Sequence, residues 1–196
     1  MSGVEDALAR ITADLSSTDV NFALIGGLAV SVRTTPRFTQ DVDLAVAVPD
    51  DAAAEQTVKA LMDRSYGLMA TVEHDTAGRL ATARLRLPAS GQIVDLLFSS
   101  SGSEPEIVAA ADMIYVAAGL RLPVAQVGHL LALKLLARDD ERRPLDIADL
   151  RHLLEVADNR ELQRAREAIA LITERGYDRG RDLAAALDDL LRSGWA

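Results

Sequence analysis

Gly26-Gly27, then thirteen residues, then Asp41-Val42-Asp43-Leu44 is the densest grouping of chemistry-capable residues in the chain. Residues two apart on a strand project from one face, so Asp41 and Asp43 present their carboxylates side by side. Carboxylates so placed repel one another unless a cation lies between them. Oxygen donors of this kind suit one or two magnesium ions, which clamp a triphosphate and activate an attacking hydroxyl. The glycine pair ends an apolar segment and opens a helix, where unobstructed backbone amides can hold phosphate oxygens. A third acid, Asp95, interrupts the apolar run Ile93-Val94-Asp95-Leu96-Leu97-Phe98. If its strand lies beside the Asp41–Asp43 strand, Asp95 completes the metal cage and takes the proton of the attacking hydroxyl. Taken singly, a glycine pair is a tight turn and a strand-end acid caps a loop amide. Asp43, flanked by Val42, Leu44, Val46 and Val48, is costly to leave without a partner, and the combination favours a metal site.

Strands must carry these acids and a helix must follow the glycines. Periodicity predicts a helix over Val4 to Leu15, a strand over Asn21 to Ile25, and a brief helix over Leu28 to Arg33. A second strand spans Val42 to Val48, and Pro49-Asp50-Asp51 opens a helix reaching Arg64. Further strands are expected over Leu68 to Glu73, Arg79 to Leu87 and Gln92 to Phe98. Beyond them Ser103-Glu104-Pro105-Glu106 reads as a capping box with proline in the first turn. Apart from a hairpin near Met113 to Leu122, the rest reads helical: Val124 to Arg138, Leu145 to Ala157, Arg160 to Arg175 and Arg181 to Leu191, with Gly176 ending the third. The expected fold is α+β. A short mixed sheet with helices occupies residues 1–100, and a helical bundle occupies residues 101–196.

Composition narrows the chemistry. At 49% hydrophobic and 26% charged residues the chain is globular rather than disordered. The absence of cysteine removes disulfides, thiolate zinc sites and cysteine nucleophiles together. His74, His129 and His152 are scattered without metal-ligand spacing, so any metal is a hard cation on carboxylates. No apolar run is long enough to span a bilayer and no signal peptide opens the chain, so a cytoplasmic protein without membrane partners is expected. The net charge of −9 argues against a generic nucleic-acid coat but not against a local basic patch. Only Lys59 and Lys134 among the basic residues are lysine, and Lys134 sits among Leu130, Leu131, Leu133, Leu135 and Leu136, where its ammonium must find an anion or snorkel out. Asp146 and Asp149, three apart on a helix face, can orient it. Arg33 and Arg37 are the nearest cations for phosphates, with Arg138, Arg142 and Arg143 as candidates for tracking an RNA backbone. Arg84 and Arg86 alternate with Leu85 and Leu87 and read as the solvated face of a strand. His129 and His152 read as packed histidines on apolar helix faces.

The glycine pair, the Asp-hydrophobic-Asp-hydrophobic run and the later hydrophobic-Asp-hydrophobic run resemble the signature of DNA polymerase β-type nucleotidyltransferases. Arg37-Phe38-Thr39-Gln40-Asp41-Val42-Asp43 is similar to the Arg-x-Thr-x-Asp-x-Asp run of their AbiEii branch. So are His129 to Arg138, containing Lys134, and Asp146-Ile147-Ala148-Asp149-Leu150. Leu145 stands where that pattern often has a basic residue. The branch includes the toxin halves of bacterial toxin–antitoxin pairs, among them the MenT-type toxins, which block translation by adding nucleotides to the acceptor end of transfer RNA.

The resemblance implies that Asp41, Asp43 and Asp95 bind magnesium. It further implies that Gly26 and Gly27 cradle a nucleoside triphosphate and that Lys134 reaches it. Asp146 or Asp149 would support Lys134. It also implies a cognate antitoxin, transfer RNA as acceptor and pyrimidine nucleotides as donors. Related toxins are silenced by modification near Thr39, so phosphorylation of Thr39 would fill the anion pocket and repel the triphosphate. Two other readings stand beside this one. The same site can serve an aminoglycoside-like antibiotic or a protein side chain, which an acidic chain suits. A non-catalytic partner-binding module is the third, weakened by the three acids it would have no reason to keep.

Overall fold

Apolar runs of strand length pair at the centre of the molecule as β1 (Asn21–Ile25) and β2 (Val42–Ala47), antiparallel with Ile25 opposite Asp43. The computed structural model of the protein describes residues 3–36, 39, 41–74, 78–88, 90–139 and 144–192. β3 (Gly67–Glu73), β4 (Leu80–Arg86) and β5 (Ile93–Leu97) follow as an antiparallel series, and β5 runs parallel beside β2. The hairpin of β6 (Asp112–Ala117) and β7 (Leu120–Val124) adds to the other side, where Leu24 of β1 pairs with Val124. The result is one seven-stranded mixed sheet in the order β3-β4-β5-β2-β1-β7-β6. It draws on residues well beyond 100, so its edge does not coincide with the division expected there.

Alternation along the strands decides which face is packed. In β4, Ala81, Ala83 and Leu85 are buried while Arg84 and Arg86 are exposed. α1 (Gly3–Ser16) buries Ala7, Leu8, Ile11 and Leu15, the stripe its period sets toward β1 and β2. α3 (Asp51–Met62) packs on α1 and β4, with Asp50 capping it by accepting from the Ala53 amide at 2.9 Å. α2 (Gly26–Arg33) starts two residues earlier than its apolar pattern suggests, so both glycines lie in its first turn. Arg33 is engaged within the fold. Its guanidinium donates to the carbonyls of Ala125 and Val124 at 2.9 and 2.8 Å and to Asp112 at 2.8 Å, which fastens α2 to β7 and β6.

The Ser103 capping box does not form. Ser103 makes no side-chain cap to α4 (Glu104–Ala109), and Glu106 pairs with Arg175 at 2.6 Å instead. Buried Glu104 accepts from the Ser100 and Ser101 amides at 2.9 and 2.7 Å. α5 (Val127–Ala137) is apolar on every side because it is surrounded, touching α2, α6 (Pro144–Val156), α7 (Asn159–Glu174) and α8 (Leu183–Arg192). Burial pushes the His129 imidazole down to about 4, with the Arg164 charge assisting, so this core histidine stays neutral. Gly176, at φ +77, ends α7 as expected. A single apolar core runs from Ile11 and Leu44 through Leu131 to Leu187. Among the described residues no helix is long and apolar enough to cross a membrane.

Candidate active site

The β1–α2 junction sets the site. Gly26 has φ +66, a left-handed conformation that L side chains rarely adopt. A Cβ on Gly26 would fall 1.9 Å from Asp43 Oδ2, so the missing side chain is the space in which the Asp43 carboxylate sits. Gly27 is buried in the first turn of α2, whose N-cap residue Ile25 offers no side-chain acceptor to the leading amides. The positive end of this helix is therefore directed at the carboxylate end of β2. Gly26→Ala is expected to cost roughly 1–3 kcal/mol in urea unfolding, from backbone strain and a displaced Asp43, and to abolish any activity of the site. A variant unfolding and working like wild type would contradict this.

Asp43 and Asp95 are direct register partners across the parallel β2–β5 pair, so their side chains leave the sheet together. Asp95 is buried and Asp43 half-buried, while Asp41 lies exposed just before β2 and half-buried Thr39 two residues earlier. The next strand places Arg84 opposite Asp95. Its guanidinium makes a two-pronged contact, Nε to Oδ1 at 2.8 Å and Nη2 to Oδ2 at 2.6 Å. Asp95 first, and the charges of Asp41 and Asp43 after it, hold Arg84 more firmly protonated than usual. Arg84 does lie on the solvated strand face, as expected, but that face carries the Asp95 contact, which the alternation with Leu85 and Leu87 does not show. The signal was the turn closed by the Leu87 amide on the Gln92 carbonyl, from which residues 84 and 95 are equally distant.

Opposite these strands, Lys134 of α5 is 13% exposed at its side chain, and its ammonium lies 2.7 Å from Asp146 and 2.8 Å from Asp149. Both carboxylates pair with its ammonium, and the remaining oxygen of Asp146 is buried with no hydrogen-bond partner among the described residues. Lys134 lines a cavity of about 130 Å³ together with Gly26, Asp43, Ser101 and Arg179. This cavity adjoins a wide cleft of about 980 Å³ bounded by Asp43, Arg84 and Asp95 from the sheet and by Asp139 and Arg179 from the helical side. Arg179, which borders both spaces with a left-handed φ of +57, was not singled out from sequence. His129 and His152 border neither space. Arg37, Arg142 and Arg143 lie outside the described residues.

The donor set at β2 suits a hard divalent cation. Asp41 and Asp43 supply oxygen alone, and the Asp43 carboxylate is seated in the Gly26 cradle. The third acid is otherwise engaged, and among the described residues no three acidic or imidazole side chains draw close enough to hold a metal ion.

The arrangement has relatives. A crystal structure of an antigenic nucleotidyltransferase-like protein from Paracoccidioides brasiliensis is similar, with TM-score 0.52 and 22% identity, over 93% of this chain and 91% of its own. The solution structure of the antibiotic-resistance factor ANT(2'')-Ia is similar with TM-score 0.56 and 17% identity over 95% of each chain. The lincosamide antibiotic adenylyltransferase LnuA, with lincomycin bound, is similar with TM-score 0.52 and 16% identity over 78% of this chain and 98% of its own. At such identities the likeness defines the fold alone, and the fold is that of the nucleotidyltransferases. No curated protein matches the sequence. Residues 6–196 match the family described as nucleotidyl transferase AbiEii toxin, type IV TA system, and the chain belongs to that family.

Proposed function

We propose that the chain transfers nucleoside monophosphates from a nucleoside triphosphate to the 3′ hydroxyl of transfer RNA, which blocks translation. The observation that carries this reading is the in-register pair Asp43–Asp95 at the N-terminus of a glycine-opened helix. Asp41 and Asp43 would hold magnesium, which supplies charge neutralisation at the triphosphate and at the attacking oxygen. The α2 amides at Gly26 and Gly27 receive phosphate oxygens, and Lys134, fixed by Asp146 and Asp149, faces them across the inner cavity. The acceptor oxygen bonds to the α-phosphorus as the α–β anhydride breaks, pyrophosphate leaves, and Asp95 receives the hydroxyl proton. Arg84 and Arg179 neutralise charge developing in the cleft. Arg37, a cation four residues before Asp41, is assigned to the phosphates.

A cognate antitoxin fits membership of a toxin–antitoxin family. Thr39, half-buried two residues before Asp41, is the proposed point of silencing by phosphorylation. The second reading is a cationic acceptor such as an aminoglycoside. It is favoured by the net charge of −9, by Glu73 and Asp139 at the cleft, and by two similar structures named for antibiotic resistance or antibiotic adenylylation.

Incubation with total transfer RNA, magnesium and each α-labelled nucleoside triphosphate in turn separates the two. Label is expected in RNA with wild type, with a pyrimidine donor favoured, and neither with Asp41→Ala nor with Thr39→Glu. Label in an aminoglycoside but not in RNA would replace the first reading by the second. Full activity of Thr39→Glu would remove the regulatory role.

A further inference from the structure

We infer that Arg84 holds Asp95 in reserve and hands it over when nucleotide arrives, so that Arg84 and a divalent cation compete for the same carboxylate. This rests on the nucleotidyl-transfer reading above. Asp95 is a weaker base and a weaker cation ligand while both its oxygens accept from Arg84 at 2.8 and 2.6 Å. The two ends of that contact differ in freedom. Asp95 is fixed on a buried strand with its side chain 11% exposed, whereas the Arg84 side chain is 49% exposed on the cleft wall. The arginine is therefore the partner that can move. It has somewhere to go, because the same cleft must receive a triphosphate, which offers a planar guanidinium more anionic oxygens than Asp95 does. The pair also explains how Asp43 and Asp95 stay side by side in register: the arginine neutralises one of them until a cation can take over.

Competition of this kind lowers the apparent affinity for the cation by the fraction of time Asp95 is free. Arg84→Gln is thus expected to tighten binding of Mn²⁺ alone by about tenfold, read from the free-ion signal in electron paramagnetic resonance. The same variant is expected to weaken binding of an α,β-methylene nucleoside triphosphate at saturating Mn²⁺, also about tenfold, because the triphosphate loses its arginine. Opposite changes in the two affinities are the signature, since a merely structural ion pair would lower thermal stability and leave Mn²⁺ binding unchanged. Arg86→Gln removes the same charge from the same strand face, at the position paired with Ile93 rather than an acid. If it tightens Mn²⁺ binding as much as Arg84→Gln does, the effect is general electrostatics and the handover is wrong. Arg84→Lys, which keeps charge but loses the two-pronged contact, should fall between wild type and Arg84→Gln. Mn²⁺ binding that depends on Asp43 yet ignores Arg84→Gln overturns the handover alone. Mn²⁺ binding indifferent to Asp43→Asn overturns the cation-assisted reading of the site and the handover with it.

Discussion

Asp43→Asn is expected to reduce nucleotide transfer by roughly a thousandfold while leaving unfolding free energy within about 1 kcal/mol of wild type. Asparagine fills nearly the same volume in the Gly26 cradle, so packing against that glycine is kept. What is lost is a full negative charge where a cation is needed. Such a contribution is worth several kcal/mol, and each 1.36 kcal/mol is tenfold in rate, hence about three decades. Asp41 is exposed outside the strand, so Asp41→Asn should cost less than Asp43→Asn under identical conditions. Transfer measured with the preferred nucleotide, beside urea unfolding of each variant, checks both statements. An active Asp43→Asn enzyme would remove the site from consideration.

Lys134→Met is expected to destabilise the fold by about 3–5 kcal/mol, the penalty typical of stripping the counter-charge from buried acids. Asp149 has 0% and Asp146 7% side-chain exposure, so neither can turn to water when the ammonium is gone. Neutralising one acid should restore part of the loss, so Lys134→Met/Asp149→Asn is expected to be more stable than Lys134→Met. Denaturant midpoints of the single and double variants decide this. A Lys134→Met protein within about 1 kcal/mol of wild type would mean that the triad contributes nothing to the fold. The result also bears on function: inactivity of a Lys134 variant is evidence about phosphate contact only in a variant that still folds.

The parts of the site that were legible in the sequence are those set by local pattern. An acid inside Val42–Ala47 and another inside Ile93–Leu97 announce themselves against apolar neighbours, and β2 and β5 do stand side by side. Lys134 was conspicuous for the same reason, and Asp146 and Asp149 lie one helical turn apart. What escaped was set by pairing over distance. Nothing local shows that the β6–β7 hairpin joins the sheet through Leu24 and Val124, a hundred residues apart. The helix expected from Val124 starts at Val127 because an apolar run surrounded on all sides has no period to mark its beginning. Arg33, read as a cation for phosphates, clasps β7, since its acceptors at Val124 and Ala125 lie at the end of a strand distant in sequence. Glu106 left its capping box for Arg175, a partner 69 residues away. Arg84 was read correctly as lying on an open strand face; that face turns out to be the cleft wall.

The most direct test of the central claim is the intact mass of transfer RNA after incubation with the protein, magnesium and one nucleoside triphosphate, with pyrophosphate quantified in parallel. Nucleotidyl transfer at Asp43 and Asp95 requires the acceptor to gain whole nucleoside monophosphates, one pyrophosphate appearing for each, and neither change with Asp43→Asn. A gain of single phosphates, a gain that survives Asp43→Asn, or no gain with any of the four nucleotides would contradict it.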